Sequence, residues 1–319
     1  MSTSGSRNFT VSRSEIIEEA VANIGVLDPG NTVSAEESAR ASKRLNLMIK
    51  GWMARGANLW RREELTLFLQ PNQRSYTFGT DDIAQSSRVI ETTLTSGVAL
   101  SGTTATVASA TGISTGYVVG FHLDAGGLFF PSGGVTVAGS TLTFSASSGQ
   151  ASAGNAVYAY PNTGAAGGKN TTLNPLKIAY AYRRDSQGTD TTVRLIGREE
   201  YAALSRKGSS GPVTELCHDR QTTSRILVWP VIDRGHDQLI LIADRVVEDF
   251  DTVADTPDFP TEWLNALMWG LSAELANTYG LPISERQWLK NNALVEFEAA
   301  NTFDIEDSTV RLEFMANGG

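Results

Sequence analysis

The chain has 319 residues, a hydrophobic content of 41% and a formal net charge of −9. This length allows one large domain or two ordinary ones. No apolar run reaches the roughly 20 residues of a membrane helix. The N-terminal residues lack the apolar core of a secretory signal. The single cysteine excludes an internal disulfide, and the acidic balance argues against tight nucleic-acid binding, which depends on clustered Lys and Arg. An acidic protein surface repels the DNA backbone, so this charge is still compatible with a channel through which DNA slides without being bound.

Two helices with N-terminal capping boxes are predicted first. Ser12 with Glu15, and Ser34 with Glu37, have the spacing at which each side chain caps the other residue's backbone N–H. Apolar residues at helical spacing follow each box, and a glycine follows each apolar stripe. Two capped helices joined by a tight loop predict an antiparallel helical hairpin.

The apolar period then changes from helical to alternating. Residues 65–78 predict a β-hairpin around the turn PNQR, and a short helix is predicted at residues 199–206. Further strands are predicted at residues 88–94, 176–183, 192–196, 213–218, 225–229 and 238–247.

A change of composition marks residues 95–168. Asp124 is the only charged residue there, among Gly, Ser, Thr, Ala and Val. Short alternating runs with Gly/Ser turns predict a small all-β sandwich or barrel, and a disordered linker is the alternative. The strands predicted at residues 88–94 and 176–183 lie on either side of this module and could belong to one sheet. The module is therefore predicted to be an insertion between them. The runs lie at residues 104–107, 117–123, 135–137, 141–144 and 157–160.

The most informative stretch is residues 255–282. Pro260 suits the first turn of a helix, and Gly280 followed by a proline suits its end. Trp263 and Trp269 lie outside the leucine stripe of this helix, so the helix is predicted to be apolar on more than one side and to bury one side against another molecule. The stripe comprises Leu264, Leu267, Leu271 and Leu275.

A further helix and a terminal extension complete the chain. Ser284 with Gln287 predicts a third capping box, and the apolar residues of this helix are Trp288, Leu289, Ala293, Leu294 and Phe297. From Phe303 onward the helical period is lost. The residues that then alternate with charged neighbours, like a strand without a partner, are Val310, Leu312 and Phe314.

These elements predict an α+β fold with three parts. Residues 1–94 and 169–302 form the core, in which the terminal helices make an antiparallel bundle beside a mostly antiparallel β region. Residues 95–168 form the inserted module, and residues 303–319 form a C-terminal extension.

The sequence contains no motif that demands catalysis, a cofactor or a metal. GAAGGKN at residues 164–170 departs from the phosphate-binding loop at both its first glycine and its last hydroxyl. The three histidines are scattered, and Cys217 and His218 are predicted to point to opposite faces of a strand. Paired glutamates leave a glycan hydrolase as an alternative, and the uncharged module leaves a glycan-binding tail protein. The pairs are Glu36/Glu37, Glu63/Glu64, Glu199/Glu200 and Glu296/Glu298.

Two blocks of the sequence carry a resemblance to a known family. Residues 16–78 include LNLMIKGWMARG and LTLFLQPNQRSYTFG, and residues 211–282 include GPVTEL, ILVWPVID, LILIADRVVEDF and DFPTEWLNALMWGLSAELANTYGLP. In this order the blocks resemble the head-to-tail adaptor proteins of short-tailed phages, which are tail accessory factors that dock beneath the portal.

The resemblance implies a structural virion protein without enzymatic activity, made in the host cytoplasm. Such proteins assemble as a dodecameric ring under the portal, extend the DNA channel without sequence-specific DNA binding or membrane contact, and offer a platform for the tail tube or nozzle. The inserted module is absent from the simplest members, so the resemblance implies no role for it.

The resemblance also suggests contact residues. The family's helical bundle faces the portal, and tryptophan is enriched at the energetic centres of interfaces. Its C-terminal extension reaches along the portal, where an extended segment could add to a strand edge. The candidates in the helices are Trp52, Trp263, Trp269 and Trp288, and those toward the portal are Phe303, Ile305, Val310, Leu312 and Phe314.

Overall fold

The computed structural model describes residues 9–27, 32–57, 62–78, 83–161, 175–185, 187–221, 224–233, 237–258 and 260–303. The described part is mixed α+β, with helices and several antiparallel sheets. The chain divides into two compact units. The helical unit contains residues 1–61 and 247–319, and the β unit contains residues 62–246.

The helices follow the predicted positions closely. Both N-terminal capping boxes are confirmed: Ser12 caps the first helix together with Glu15, and Ser34 caps the second together with Glu37. The third is wrong, because the last helix already begins at Ile283 and Ser284 therefore lies inside it. The helices are α1 (Arg13–Asn23), α2 (Ala35–Ala54), α3 (Arg198–Ala203), α4 (Leu264–Leu275) and α5 (Ile283–Phe303).

Helix α4 is the centre of the helical unit, and α1, α2 and α5 all pack against it. Its four stripe leucines are buried, as the helical spacing predicts. Trp263, predicted to lie on a separate apolar side, is 0% exposed and belongs to the same core. Much of the apolar surface around α4 is therefore covered by helices of its own unit, and Ser272 ties it to α1 by donating to the carbonyl of Ala20 at 3.0 Å.

Residues 247–255 return the chain to the helical unit along α1 and α2. The side chain of Asn46 both accepts from the N–H of Phe250 at 3.0 Å and donates to its carbonyl at 3.2 Å. The buried guanidinium of Arg13 donates to Ser42 and to the carbonyl of Asp251. These bonds satisfy backbone groups of a segment that has no helix or strand of its own, as burial requires.

The β unit begins with the strands of two sheets. A five-stranded sheet has the order β12-β11-β16-β1-β3, and a four-stranded sheet has the order β13-β14-β15-β2. Leucine, isoleucine and valine side chains from both sheets share one buried cluster. The strands are β1 (Arg62–Phe68), β2 (Ser75–Thr77), β3 (Ile83–Gln85), β11 (Lys177–Arg184), β12 (Asp190–Thr192), β13 (Arg194–Leu195), β14 (Glu215–Asp219), β15 (Arg225–Trp229) and β16 (Gln238–Asp244).

The predicted hairpin at residues 65–78 is wrong in its pairing. Both strands and the turn between them exist, but β1 pairs with β16 and β3 whereas β2 pairs with β15. The alternating apolar residues are buried as predicted, because each strand buries one face in the shared cluster. Two strands that are adjacent in sequence thus diverge into different sheets.

The predicted module has its own cluster of buried side chains. Its sheets have the orders β4-β10-β6-β7 and β5-β9-β8. The strand predicted at residues 88–94 belongs here, since it pairs with β10 and not with β11. The strands are β4 (Ile90–Thr93), β5 (Thr104–Thr106), β6 (Val118–His122), β7 (Leu128–Phe129), β8 (Thr136–Ala138), β9 (Thr141–Thr143) and β10 (Ala156–Tyr160).

The module packs against the end of β1 through aromatic side chains. Phe68 is fully buried, with its ring centroid 5.0 Å from that of Tyr158 and 6.1 Å from that of Tyr160. Gln70 reinforces this contact, because its side-chain oxygen accepts from the N–H of Leu128 at 3.0 Å. The module is therefore part of the β unit's core.

Candidate interaction surface of the helical unit

The predicted contact tryptophans fall into two groups in the helical unit. Trp52 and Trp263 are buried in the core, with centroids 5.8 Å apart, and both contact the ring of Phe297. Trp263 has no exposed surface, so it acts by packing, and Trp52 is nearly as buried. These two rings fix α5 against α2 and α4.

Trp269 and Trp288 form the second group, at the surface. Their rings meet edge to face with centroids 5.5 Å apart. Trp269 is half-buried on α4, whereas Trp288 is 56% exposed on α5. Edge-to-face contact holds both rings in a defined orientation, which reduces the entropy that a partner must remove on binding.

Helix α5 packs through a single row and exposes apolar residues on both sides of it. Leu289 and Ala300 are buried eleven positions apart, close to three helical turns. Trp288 and Val295 lie seven positions apart and share one side, and Val295 is 62% exposed. Ile283 and Leu294 are exposed on the other side. We call these four exposed residues the α5 surface.

The α5 surface includes residues that the sequence prediction did not select. Val295 is not among the predicted apolar residues of this helix, although its distance of seven positions from Trp288 places both on one side of a helix. Ile283 precedes the helix start that the sequence predicts. Only the observed start of α5 at Ile283 places this residue on the helix. Leu294 was assigned to the apolar side of the helix, yet it is 54% exposed.

The residues predicted to reach a portal lie at or beyond the end of α5. Phe303 is the last residue of that helix. Ile305, Val310, Leu312 and Phe314 lie outside the described residues.

The described His, Cys and acidic side chains that were candidates for metal binding or catalysis do not form one site. Among the described residues, no three His, Cys, Asp or Glu side chains form a group able to hold a metal ion. Cys217 packs against Ile196 and Tyr201, and burial raises the pKa of its thiol. His218 instead lies beside the ring of Phe78 and shares a hydrogen bond of 2.7 Å with Ser224, so the two neighbours do face opposite ways.

The paired glutamates are spread over different elements. Glu37 caps α2, and its hydrogen bonds to Ser34 lower the pKa of its carboxyl group. Glu199 and Glu200 lie in the first turn of α3, and Glu200 forms an ion pair with Arg194 at 2.8 Å. Glu296 and Glu298 are two positions apart on α5 and so face different directions.

Comparison with protein-family models and with curated proteins finds no match for this chain. None of the described helices is long and apolar enough to cross a membrane.

Proposed function

We propose that the protein is a head-to-tail adaptor of a phage virion, in which the helical unit contacts the portal and neighbouring copies. The observation that carries the proposal is the α5 surface: four large apolar side chains, each more than half exposed, on one helix. Exposed apolar groups in this density are typical of surfaces that another protein covers. Residues 16–78 and 211–282 resemble adaptor proteins, and this resemblance indicates that the covering proteins are the portal and neighbouring copies.

The position of the α5 surface in the chain supports the same proposal. Helix α5 is followed directly by residues 304–319, whose alternating apolar residues suit addition to the edge of a portal strand. We propose that the terminal helices act as an antiparallel bundle that anchors this extension. The net charge of −9 suits a wall along which DNA passes without being held.

In this proposal the protein is a structural component of the virion tail, without a catalytic step. Twelve copies form a ring beneath the portal, and the face away from the portal receives the tail tube or nozzle. The charge of each copy is repeated around such a ring, so the channel repels the DNA backbone along its circumference.

The test is co-assembly with the cognate portal, measured by size-exclusion chromatography with light scattering. Trp288→Ala combined with Val295→Asp is expected to reduce the fraction bound by tenfold or more, because an aromatic anchor is removed and a charge is placed in an apolar contact. Val253→Asp is the matched control, since Val253 is 60% exposed in the same unit but lies outside α5.

Removal of residues 304–319 separates the roles of helix and extension. The truncated chain is expected to keep the circular dichroism of the full chain and to bind the portal more weakly. Ring formation by the wild-type chain with the portal supports the proposal, and failure of the wild-type chain to bind any portal oligomer contradicts it. Equal binding by the truncated and full chains would remove the extension from the interface.

A further inference from the structure

Three side chains of β11 form a row on one face of the five-stranded sheet. The ring centroids of Tyr180 and Tyr182 are 6.3 Å apart, and the guanidinium carbon of Arg184 lies 5.6 Å from the centroid of the Tyr182 ring. Tyr180 is 46% exposed, and the other two side chains are half-buried. The opposite face of β11 is directed into the core through Ile178 and Ala181. We call Tyr180, Tyr182 and Arg184 the tyrosine row.

The edge strand β12 holds the tyrosine row in place. The hydroxyl of Tyr180 shares a hydrogen bond of 2.7 Å with that of Thr192. Arg184 donates twice to the carboxylate of Asp190, at 2.8 Å each. Side chains fixed before binding lose little conformational entropy when a ligand arrives. The row is thus a preorganised platform of two rings and a neutralised guanidinium.

The tyrosine row leads into a cleft of about 390 Å³. Arg184 and its cross-strand partner Gln238 line the side of the cleft formed by the five-stranded sheet. The module sheet lines the other side with Glu91 from β4, His122 from β6 and Tyr158 from β10. Asp185 and Gly188, from the turn between β11 and β12, and Gly154, Asn155 and Ala156, beside or in β10, complete the lining.

The cleft has a lining of polar side chains, several of which have fixed positions. The hydroxyl of Tyr158 lies close to the side chains of both Glu91 and Gln238. Burial, together with the charge of Glu91, raises the pKa of Tyr158 to about 12, so the group is a neutral hydroxyl at physiological pH. The amide of Asn155 is fixed by donating to the carbonyl of His122 and to Asp124, both at 2.9 Å.

The charges around the cleft act against an anionic ligand. Among the described residues that line the cleft, Arg184 is the one Lys or Arg, and it is paired with Asp190, while Glu91 and Asp185 are both in the lining. Glu64 is on β1, which β16 separates from β11 in the sheet, and its negative charge still raises the pKa of Tyr182. These charges disfavour an anionic ligand, and tyrosine rings beside carboxylates and amides suit a neutral sugar, which has both apolar ring faces and hydroxyl groups.

We infer that the tyrosine row and the adjoining cleft bind a neutral oligosaccharide. One sugar ring stacks on Tyr180 and Tyr182, and the next unit enters the cleft, where its hydroxyls bond to Glu91 and the surrounding polar groups. The volume lies at the lower end of the range for small-ligand sites, which suits one or two sugar rings. This inference goes beyond the adaptor function and does not depend on it.

The test uses the full-length protein and a fixed panel of probes. Chitohexaose, cellohexaose, maltohexaose and mannohexaose are the neutral probes, and a heparin hexasaccharide is the anionic one. Saturation-transfer NMR detects binding, and isothermal titration calorimetry gives the dissociation constant. We expect at least one neutral probe to bind saturably and the anionic probe not to bind.

Variants then locate the binding. Tyr182→Ala and Glu91→Gln are each expected to weaken binding of that probe about tenfold or more, the first by removing a stacking ring and the second by removing a charged acceptor. Tyr182→Phe, which keeps the ring, should retain most of the affinity. Phe9→Ala is the matched control, because it removes an exposed aromatic ring from the helical unit.

Circular dichroism and thermal unfolding establish that each variant is folded. If Tyr182→Ala unfolds the chain, Tyr180→Ala replaces it, since that ring is the more exposed of the two. The inference is overturned if no neutral probe binds, if only the heparin probe binds, or if Phe9→Ala weakens binding as much as the variants of the row and cleft.

Discussion

Single glycines show how tightly the helical unit is packed. A Cβ added to Gly270 on α4 would lie 2.8 Å from the sulfur of Met48 and 3.0 Å from a ring carbon of Trp52. A Cβ added to Gly51 on α2 would meet nothing within 4 Å. The first glycine permits close contact between two helices, whereas the second has no such role.

The same substitution is therefore expected to have opposite effects at the two sites. Gly270→Ala should lower the free energy of unfolding by about 1–3 kcal/mol, because the new methyl group overpacks the contact with α2. Gly51→Ala should raise it by about 0.5–1 kcal/mol, because alanine favours the helix. Urea denaturation of the two variants measures both values, and equal signs would contradict the packing at Gly270.

His218 makes the stability of the β unit depend on pH. Burial lowers the pKa of this imidazole from 6.5 to about 4, and the nearby charge of Arg220 acts in the same direction, while Asp219 opposes it. Above pH 6.5 neither the folded nor the unfolded state is protonated, so the group has no effect. Between pH 6.5 and pH 4 only the unfolded state binds the proton, so stability falls as the pH falls.

Replacing His218 with asparagine should remove that part of the acid sensitivity. Between pH 7.5 and pH 4.5 the wild-type chain is expected to lose about 2 kcal/mol more than His218→Asn in the free energy of unfolding. Urea denaturation at both pH values measures the difference. The same loss in the two proteins would show that His218 titrates normally in the fold.

At the scale of the elements, the leucines of α4 and α5 differ in burial. Leu271 on α4 is completely buried in the centre of the unit, whereas Leu294 on α5 is mostly exposed. Leu271→Ala should cost about 2–5 kcal/mol, since it leaves a cavity that the surrounding helices fill only in part. Leu294→Ala should change stability by no more than about 0.5 kcal/mol. Thermal unfolding compares the two, and a large loss at Leu294 would mean that α5 is packed on that side as well.

Local signals in the sequence predicted the elements well, but they did not predict which strands pair. The boxes at Ser12 and Ser34 were recognisable because a cap depends on residues only three positions apart. The pairing of β1 with β16 depends on residues about 180 positions away, which no local pattern reports, and so the hairpin at residues 65–78 was an error. For the candidate surface, helical spacing predicted apolar residues on α5 but not which of them α4 covers.

At the scale of the whole molecule, the β unit is an insertion within the helical unit. The helical unit combines residues from before position 62 with residues from after position 246, and the β unit is continuous in sequence. Its first and last strands pair along their whole length, with Arg62 opposite Asp244 and an ion pair of 3.7 Å between them. The buried cluster shared by its two main sheets is internal to the unit.

We therefore expect residues 62–246 to fold when expressed without the rest of the chain. A single cooperative unfolding transition and dispersed amide signals in NMR spectra would establish this. The matched comparison deletes residues 95–160 from that fragment, which removes most of the module, including Tyr158 and Tyr160, and uncovers Phe68. Aggregation of the shorter fragment is expected, and an equally stable shorter fragment would show that the module contributes nothing to the core.

The pairing of β1 with β16 also has an evolutionary consequence. Cα atoms opposite each other on antiparallel strands are about 5 Å apart, so the entry and exit points of the β unit are almost as close as neighbouring residues. A gene segment encoding this unit could enter a surface turn of a host protein without separating the flanking residues of that turn. Recombination could thus have supplied an all-helical ancestor with a complete cassette in one step.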